Sequence, residues 1–231
     1  MVGIREGDDP LSVLARGGEY AVDVLGSSTK WVVAGSVALS LSVRSDSETL
    51  VWVLGSLLNA AFSKVLKKSI NECRPDGSRL QDPGMPSSHA MSLFFLGTYL
   101  VLALQEYGVD SDIGMGFLWP LGQVETQASI AAYAVTASLW RVKAGLHSLP
   151  QIGVGAAVGA ADAALWYTIF RRGVVQQVEA LFGGGHVPEA VVLGVVCLTS
   201  AVKLGDNRLW SRKPVREAPG EGEVIGKRRG R

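Results

Sequence analysis

Long stretches without a charged side chain alternate along this chain with short polar clusters. Six stretches free of Asp, Glu, Lys and Arg lie at 31–43, 49–63, 83–105, 126–140, 144–161 and 190–202. A membrane-spanning helix needs about 20 apolar residues, and charged residues beside such a stretch can reach the lipid headgroups. The pattern therefore predicts six helices, at roughly 21–43, 48–66, 89–106, 126–142, 148–171 and 188–204.

A soluble bundle of buried helices is the alternative, because apolar runs of about 10–14 residues are typical of such helices as well. The composition favours the membrane, since only 19% of the residues are charged and the mean hydropathy is +0.25. Gly155 and Gly159 lie four residues apart in the fifth predicted helix, a spacing that lets membrane helices approach closely. We therefore predict an all-α fold that forms a six-helix transmembrane bundle.

The same pattern divides the 231 residues into three parts. Residues 1–20 form a polar N-terminal segment, residues 21–204 the membrane domain, and residues 205–231 a polar tail that we expect to be disordered. The net charge of +1 excludes a strongly basic nucleic-acid-binding protein, so no nucleic-acid partner is predicted. Two cysteines far apart and three histidines exclude a disulfide framework and a His-rich metal site.

Three polar clusters fall at the ends of the predicted helices. The first runs from Lys67 to Pro75 after the second helix, and the next runs from Gly84 to His89 before the third. The last runs from Arg141 to His147, between the fourth and fifth helices, with Gln151 shortly after it. If every predicted helix spans the bilayer, all three clusters lie on one membrane face. Cations, hydroxyl groups and histidines then converge at one mouth of the bundle.

The cations and serines of these clusters suit the binding of phosphate. Arg74 and Arg141 can each donate two parallel hydrogen bonds to phosphoryl oxygens, and Lys67 adds a compact positive charge. Ser87 and Ser88 stand just before the third helix, where free backbone N–H groups and the helix dipole favour an anion.

The two histidines of the clusters, His89 and His147, can share the covalent chemistry. One can attack phosphorus while the other protonates the departing oxygen. No group of Asp and Glu residues that would hold magnesium stands near the clusters. The residues therefore favour phosphoryl transfer without a metal, and no cofactor is predicted.

Taken together, the clusters resemble the motif of the type 2 phosphatidic acid phosphatase and haloperoxidase superfamily. The corresponding parts here are Lys67-x6-Arg74-Pro75, Pro86-Ser87-Ser88-His89 and Arg141-x5-His147. This motif is long and composite, which makes it far more specific than a short glycine motif. In finer detail, Asp82–His89 is similar to the epsilon group of plastid lipid phosphate phosphatases, and the third part is also similar to dolichyl-diphosphatases.

The resemblance implies a transmembrane bundle of the type 2 phosphatidic acid phosphatase kind. It implies that His147 is the nucleophile, which forms a phosphohistidine, and that His89 is the general acid toward the leaving alcohol. The phosphoryl oxygens would be held by Lys67, Arg74, Ser87, Ser88 and Arg141.

The implied activity is the hydrolysis of phosphatidate to diacylglycerol and phosphate. A polyprenyl or dolichyl diphosphatase is the alternative, because the same site could serve either substrate. The implied partners are the membrane and a lipid phosphate within the bilayer. The implied location is the plastid (chloroplast) envelope, with the endoplasmic reticulum membrane as the alternative.

Two positions depart from the superfamily pattern. Trp140 precedes Arg141 where the family often has Ser, and Gln151 stands four residues after His147 where the family usually has Asp. The amide oxygen of Gln151 can accept a hydrogen bond from the His147 ring, but an amide carries no negative charge. We therefore predict that Gln151 orients the nucleophile without the charge that an Asp would supply.

The remaining polar residues near helix ends are predicted to have structural roles. Lys68 is expected to reach the headgroups, which leaves Lys67 as the phosphate ligand of the second helix. Arg171 and Arg172 are expected to anchor the end of the fifth helix, and His186 is expected to be a loop residue.

Overall fold

The secondary-structure elements of the described residues are all helices, as the predicted all-α fold requires. In a computed structural model, the structure describes residues 18–29, 31, 35, 37, 46–78, 80–108, 122–184, 187, 188, 190, 191 and 194. The α-helices are α1 (Ser47–Ile70), α2 (Ser88–Tyr107), α3 (Gln123–Lys143), α4 (Leu149–Leu165) and α5 (Arg171–Phe182). A π-helical turn at Trp166–Phe170 joins α4 to α5, and residues 18–29 form an N-terminal helical segment.

The predicted helices at 48–66, 89–106 and 126–142 correspond to α1, α2 and α3, with each end displaced by four residues or fewer. The predicted helix at 148–171 is too short, because the chain stays helical through the π-helical turn to Phe182. The first predicted helix is described in part. His186, the tail at 205–231 and nearly all of 188–204 lie outside the described residues, so the count of six helices stays a prediction.

Three of the described helices are long and apolar enough to cross a bilayer: Ser47–Ile70, Ser88–Tyr107 and Leu149–Phe182. Helix α1 illustrates how such a helix divides its two faces. Its buried face carries small or polar residues at every fourth position: Gly55, Asn59, Ser63 and Lys67. Its exposed face carries large apolar residues: Leu54, Leu58, Phe62 and Val65. An apolar outer stripe over a small or polar inner stripe is the arrangement expected of a helix in contact with lipid.

Helices α2 and α4 touch through their backbones, as the spacing of Gly155 and Gly159 predicts. A Cβ atom at Gly155 would lie 2.7 Å from the carbonyl oxygen of Ser87. A Cβ atom at Gly159 would overlap the carbonyl oxygen of Met91. No side chain fits at either position while the two helices keep this separation. The start of α4 is therefore fixed against the start of α2.

This contact predicts a large loss of stability for Gly159→Ala. The added methyl group must push α2 away, and overpacking of this kind costs about 1–3 kcal/mol. Gly153→Ala is the matched control on the same helix, because no described atom lies within 4 Å of its Cβ position. The control should be stabilised by up to about 1 kcal/mol through helix propensity. Thermal unfolding in detergent measures both variants, and equal midpoints for Gly159→Ala and the wild type would contradict the close contact.

At the opposite end of α1 and α2, Arg171 lies inside the bundle. Its guanidinium donates hydrogen bonds to Glu48, to Glu106 and, at 2.7 Å, to the hydroxyl group of Tyr107, and only 3% of its side chain is exposed. The prediction that Arg171 marks the end of the fifth helix is therefore wrong. Two carboxylates neutralise the buried charge, so the helix continues past it, whereas the side chain of Arg172 is 79% exposed.

Candidate active site

The three polar clusters meet at one end of the bundle, as the sequence predicts. The hydroxyl group of Ser63 in α1 donates to that of Ser88 in α2 at 2.7 Å. The backbone N–H of Ser87 donates to the carbonyl oxygen of Gln151 in α4 at 3.0 Å. These contacts join the end of α1, the start of α2 and the start of α4.

The turn between α3 and α4 places His147 beside the end of α3. The carbonyl oxygen of Arg141 accepts from the N–H groups of Leu146 and His147 at 3.0 and 3.3 Å. Gly145 has a φ of 66°, a backbone conformation that glycine adopts without strain, and this lets the chain reverse. Ser148 then caps α4. The histidine is thus held between a tight turn and a helix start, and only 2% of it is exposed.

Two of the predicted phosphate-binding cations converge on one carboxylate, that of Asp82. Lys67 Nζ donates to Asp82 Oδ2 at 2.7 Å, and Arg74 Nη2 lies 2.9 Å from both carboxylate oxygens. Burial raises the pKa of Asp82, but the hydrogen bonds and charges of Lys67 and Arg74 outweigh it and hold the pKa below its usual range. A carboxylate and a phosphoryl group present similar pairs of acceptor oxygens. The donors of Lys67 and Arg74 are therefore already arranged around a single anionic group.

Asp82 is a residue of this site that the sequence does not reveal, because no local spacing relates it to Lys67 or Arg74. Lys67 and its neighbour Lys68 are predicted to have different roles, and their burial differs accordingly: Lys67 is buried and Lys68 is exposed. The loop that carries Asp82 also lines an open cleft of about 410 Å³, which includes Arg74.

Arg141 adds a third positive charge to this end of the bundle. Its Nε is buried and has no hydrogen-bond acceptor among the residues that the structure describes. Its charge is one of the causes that shift the pKa of His147. A buried donor without an acceptor is costly, so Arg141 is suited to an anionic ligand.

The imidazole of His147 contacts one residue through each nitrogen. Its Nε2 lies 3.0 Å from Arg74 Nη1, and its Nδ1 lies 3.2 Å from Gln151 Oε1. An arginine can only donate, so Nε2 accepts and the proton sits on Nδ1, where it can be donated to Gln151. Burial, followed by the charges of Arg74, Arg141 and Lys67, lowers the pKa of His147 to about 3. At neutral pH the ring is therefore uncharged and its Nε2 lone pair faces the cations.

Gln151 is fixed by the start of α4 as well as by the histidine. Its backbone N–H donates to the Ser148 hydroxyl group at 3.4 Å, and its Oε1 accepts from the Ser148 N–H at 3.2 Å. This reciprocal pair is a capping box, and the Ser-x-x-Gln spacing in the sequence is its signature. The amide therefore contacts the His147 ring, as expected of a residue that orients it.

The serines and the second histidine lie at the start of α2. Ser87 is the buried N-cap, and its side chain accepts from the N–H of Ala90. Ser88 and His89 follow in the first turn, and both are half-buried. The contact between Ser87 and Gln151 brings this turn next to the first turn of α4. All eight residues that the sequence singled out thus lie on the four helix ends that meet here, or on the loops attached to them.

Trp140 contacts the N-terminal helical segment. Its Nε1 donates to Asp23 Oδ1 at 3.1 Å, and Lys143 Nζ lies 3.1 Å from the same oxygen. A Cβ atom at Gly26 would overlap the indole ring, so the segment packs directly on it. The departure from the family pattern at this position therefore serves the packing of residues 18–29 onto α3.

Comparison with known proteins identifies the family. Residues 49–175 match the family model of the PAP2 superfamily. The chain belongs to the PAP2 superfamily. This confirms the resemblance seen in the sequence. Together with the three apolar helices, membership makes the chain an integral membrane protein.

Several relatives support the assignment. Over 158 residues the chain is 34% identical to lipid phosphate phosphatase epsilon 2, chloroplastic, from Arabidopsis thaliana, covering 67% of this chain and 51% of that protein. It is 29% identical over 157 residues to dolichyldiphosphatase 1 from Dictyostelium discoideum, covering 64% of this chain and 66% of that one. The chain thus spans about half the length of the first of these relatives.

The fold also has a counterpart among solved structures. A transmembrane PAP2 type phosphatidylglycerolphosphate phosphatase from Bacillus subtilis superposes with a TM-score of 0.50 and 18% identity. The match covers 74% of this chain and 80% of that one. At this identity the likeness concerns the fold.

Proposed function

We propose that the protein is a metal-independent lipid phosphatase of the membrane, which hydrolyses phosphatidate to diacylglycerol and phosphate through a phosphohistidine. The observation that carries the proposal is the state of His147: a buried, neutral imidazole whose Nε2 contacts Arg74 and whose pKa is also lowered by the charges of Arg141 and Lys67. An unprotonated imidazole nitrogen is a nucleophile once the hydrogen bond from Arg74 passes to the substrate, and the nearby cations suit a phosphoryl group.

Binding begins with exchange of one anion for another. The phosphate of the substrate competes with the Asp82 carboxylate for Lys67 and Arg74, and Arg141 supplies a further donor. Because Lys67, Arg74 and Arg141 outnumber the carboxylates of Asp82 and Glu72, the site stays net positive and favours a phosphate dianion. The acyl chains stay in the bilayer while the phosphate enters at the end of the bundle.

The chemistry then takes two steps. His147 Nε2 attacks phosphorus, the N–P bond forms, and the P–O bond to diacylglycerol breaks as His89 gives its proton to the leaving oxygen. His89, now neutral, takes a proton from water, which attacks the phosphohistidine and releases phosphate and the free imidazole. Throughout, Nδ1–H stays bonded to Gln151, and the cations stabilise the charge that builds on the phosphoryl oxygens.

We place the protein in the plastid envelope, because the epsilon relative is named chloroplastic. The alternative activity is hydrolysis of a polyprenyl or dolichyl diphosphate, and the dolichyldiphosphatase relative favours it. That alternative goes with the endoplasmic reticulum membrane. Both activities use the same phosphate site, because the cations contact phosphate oxygens and not the lipid tail.

A substrate panel tests the proposal. Purified protein in detergent, with a chelator present, is given phosphatidate or a polyprenyl diphosphate, and phosphate release is measured. We expect release from phosphatidate. Release from the diphosphate alone would establish the alternative, and release that needs an added divalent metal would contradict the metal-independent mechanism.

A further inference from the structure

We infer that Glu72 is a positioning residue for His147 and acts through Gln151: its carboxylate fixes the Gln151 amide and supplies the negative charge that this amide lacks. The inference rests on the proposed function of His147 as nucleophile. It assigns a role to a residue that lies in the first motif cluster but outside the set of predicted phosphate ligands.

The side-chain amide of Gln151 has every hydrogen-bonding position occupied. Its Nε2 donates to Glu72 Oε1 at 2.9 Å and to the carbonyl oxygen of Cys73 at 2.7 Å. Its Oε1 accepts from the Ser148 N–H and lies 3.2 Å from His147 Nδ1. Two donors and two acceptor positions are all that an amide offers, and Gln151 is 2% exposed.

These partners determine which end of the amide faces the histidine. Glu72 and the Cys73 carbonyl group can only accept, so they hold the nitrogen end, and the oxygen end must face His147. That oxygen in turn holds the proton on Nδ1 and leaves Nε2 unprotonated, so Nε2 can attack once the hydrogen bond from Arg74 passes to the phosphoryl group. Without Glu72, one of the two contacts that fix the amide nitrogen is lost.

Gly84 packs directly against the side-chain amide of Gln151. A Cβ atom at Gly84 would lie 2.5 Å from Gln151 Nε2, so the amide packs against bare backbone. The N–H of Gly84 also donates to the carbonyl oxygen of Glu72 at 2.7 Å. This hydrogen bond joins Glu72 to Gly84, the residue that packs on the Gln151 amide.

The charge of Glu72 matters when the phosphohistidine forms. The ring then becomes a cation that still carries its Nδ1 proton, in a site that already contains Lys67, Arg74 and Arg141. The Asp82 carboxylate is engaged by two of those cations. Glu72 lies on the Nδ1 side of the ring, across from the Arg74 contact at Nε2, and one amide separates it from the ring. It therefore supplies at a distance the charge that the usual family Asp would supply in direct contact.

Glu72→Gln separates charge from position, because the new amide oxygen can accept the same hydrogen bond from Gln151. We expect kcat to fall about tenfold, the size typical for outer partners of a functional histidine. KM should change by less than about twofold, because among the described residues the Glu72 side chain bonds Gln151 and none of the proposed phosphate ligands. Asp76→Asn is the matched control, an exposed carboxylate on the same loop, and should leave kcat within about twofold. Equal kcat values for Glu72→Gln and the wild type would overturn the inference.

A binding measurement tests the inference without lipid hydrolysis. Orthovanadate adopts the five-coordinate geometry of phosphoryl transfer, whereas inorganic phosphate does not. In calorimetry, Glu72→Gln should weaken vanadate about tenfold and phosphate by less than about twofold. Equal effects on the two ions, or an equal effect of Asp76→Asn on vanadate, would overturn the inference. Absence of lipid hydrolysis by the wild type would instead refute the proposed function, while this binding contrast would still decide the role of Glu72.

A double variant that moves the carboxylate from position 72 to position 151 tests whether the lost kcat can be recovered. Glu72→Gln combined with Gln151→Glu places the negative charge in direct contact with His147 Nδ1. We expect the double variant to recover at least part of the kcat lost in Glu72→Gln. A purely structural role for Glu72 predicts the opposite, a further loss, because the second change also breaks the contact with the Cys73 carbonyl group.

Discussion

His147→Ala is expected to reduce phosphate release from the preferred lipid by a factor on the order of 10⁴ to 10⁶, the loss seen when a covalent nucleophile is removed. The reason is that the N–P bond can no longer form, and water must attack the lipid phosphate directly. The proposed phosphate ligands Lys67, Arg74 and Arg141 remain, so the affinity for inorganic phosphate should fall far less than kcat. Phosphate release and calorimetry on the same preparation measure the two effects.

His89→Ala provides the control that separates the two histidines. The loss of kcat that His89→Ala causes with phosphatidate should largely disappear with p-nitrophenyl phosphate, because that leaving group departs without a proton. The loss in His147→Ala should persist with either substrate. A His147→Ala variant that retained more than about 1% of wild-type kcat would contradict a phosphohistidine mechanism.

Arg74→Gln is expected to lower kcat on the order of 10³-fold and to change its dependence on pH. Arg74 holds Asp82, the Leu146 carbonyl group and His147 Nε2. After burial, its charge is the largest cause of the low pKa of His147. Removing the charge raises that pKa from about 3 toward its ordinary value of 6.5.

The direction of the pH effect depends on which protonation state of His147 reacts. Only the neutral imidazole attacks, so activity falls as the pH drops below the pKa of His147. In the wild type this fall lies near pH 3, and in Arg74→Gln it moves to a higher pH. The ratio of variant to wild-type kcat/KM cancels ionisation of the substrate. Lys68→Gln, which removes an exposed cation at the same helix end, should give a ratio that is flat with pH.

The helix ends of the site could be predicted because the sequence marks them twice, by the end of an apolar run and by a motif residue. Lys67, Ser87 and His147 each stand within two residues of a predicted helix end, so counting the helices from the N-terminus places all three at the same end of the bundle. The capping box at Ser148 and Gln151 is equally local, because it depends on residues three apart.

The roles of Glu72 and Asp82 could not be predicted in the same way. Both lie on the loop between α1 and α2, whose path depends on contacts with α4 and the turn before it. No periodicity relates Asp82 to Lys67 or Glu72 to Gln151, which are 15 and 79 residues apart. The local signal was Gln151 in place of the usual family Asp, which leaves this position without the negative charge that an Asp would supply.

The predicted end of the fifth helix, at residue 171, was wrong for a related reason. A pair of arginines after an apolar run is typical of a helix end at the headgroups. Here Glu48 and Glu106, far away in the sequence, neutralise Arg171 inside the bundle. The pairing partners of a buried charge are set by tertiary structure, and the run of residues around Arg171 does not reveal them.

The backbone contact between α2 and α4 has a consequence for the protein in different membranes. Gly155 and Gly159 leave no space between α2 and α4. The start of α2, which carries His89, and the start of α4, which follows His147, therefore move as one rigid body. Hydrophobic mismatch with a thinner or thicker bilayer is relieved by tilting helices, and this pair must tilt together. The separation of the two imidazoles is therefore independent of acyl-chain length, and turnover should vary little between vesicles of short-chain and long-chain lipids.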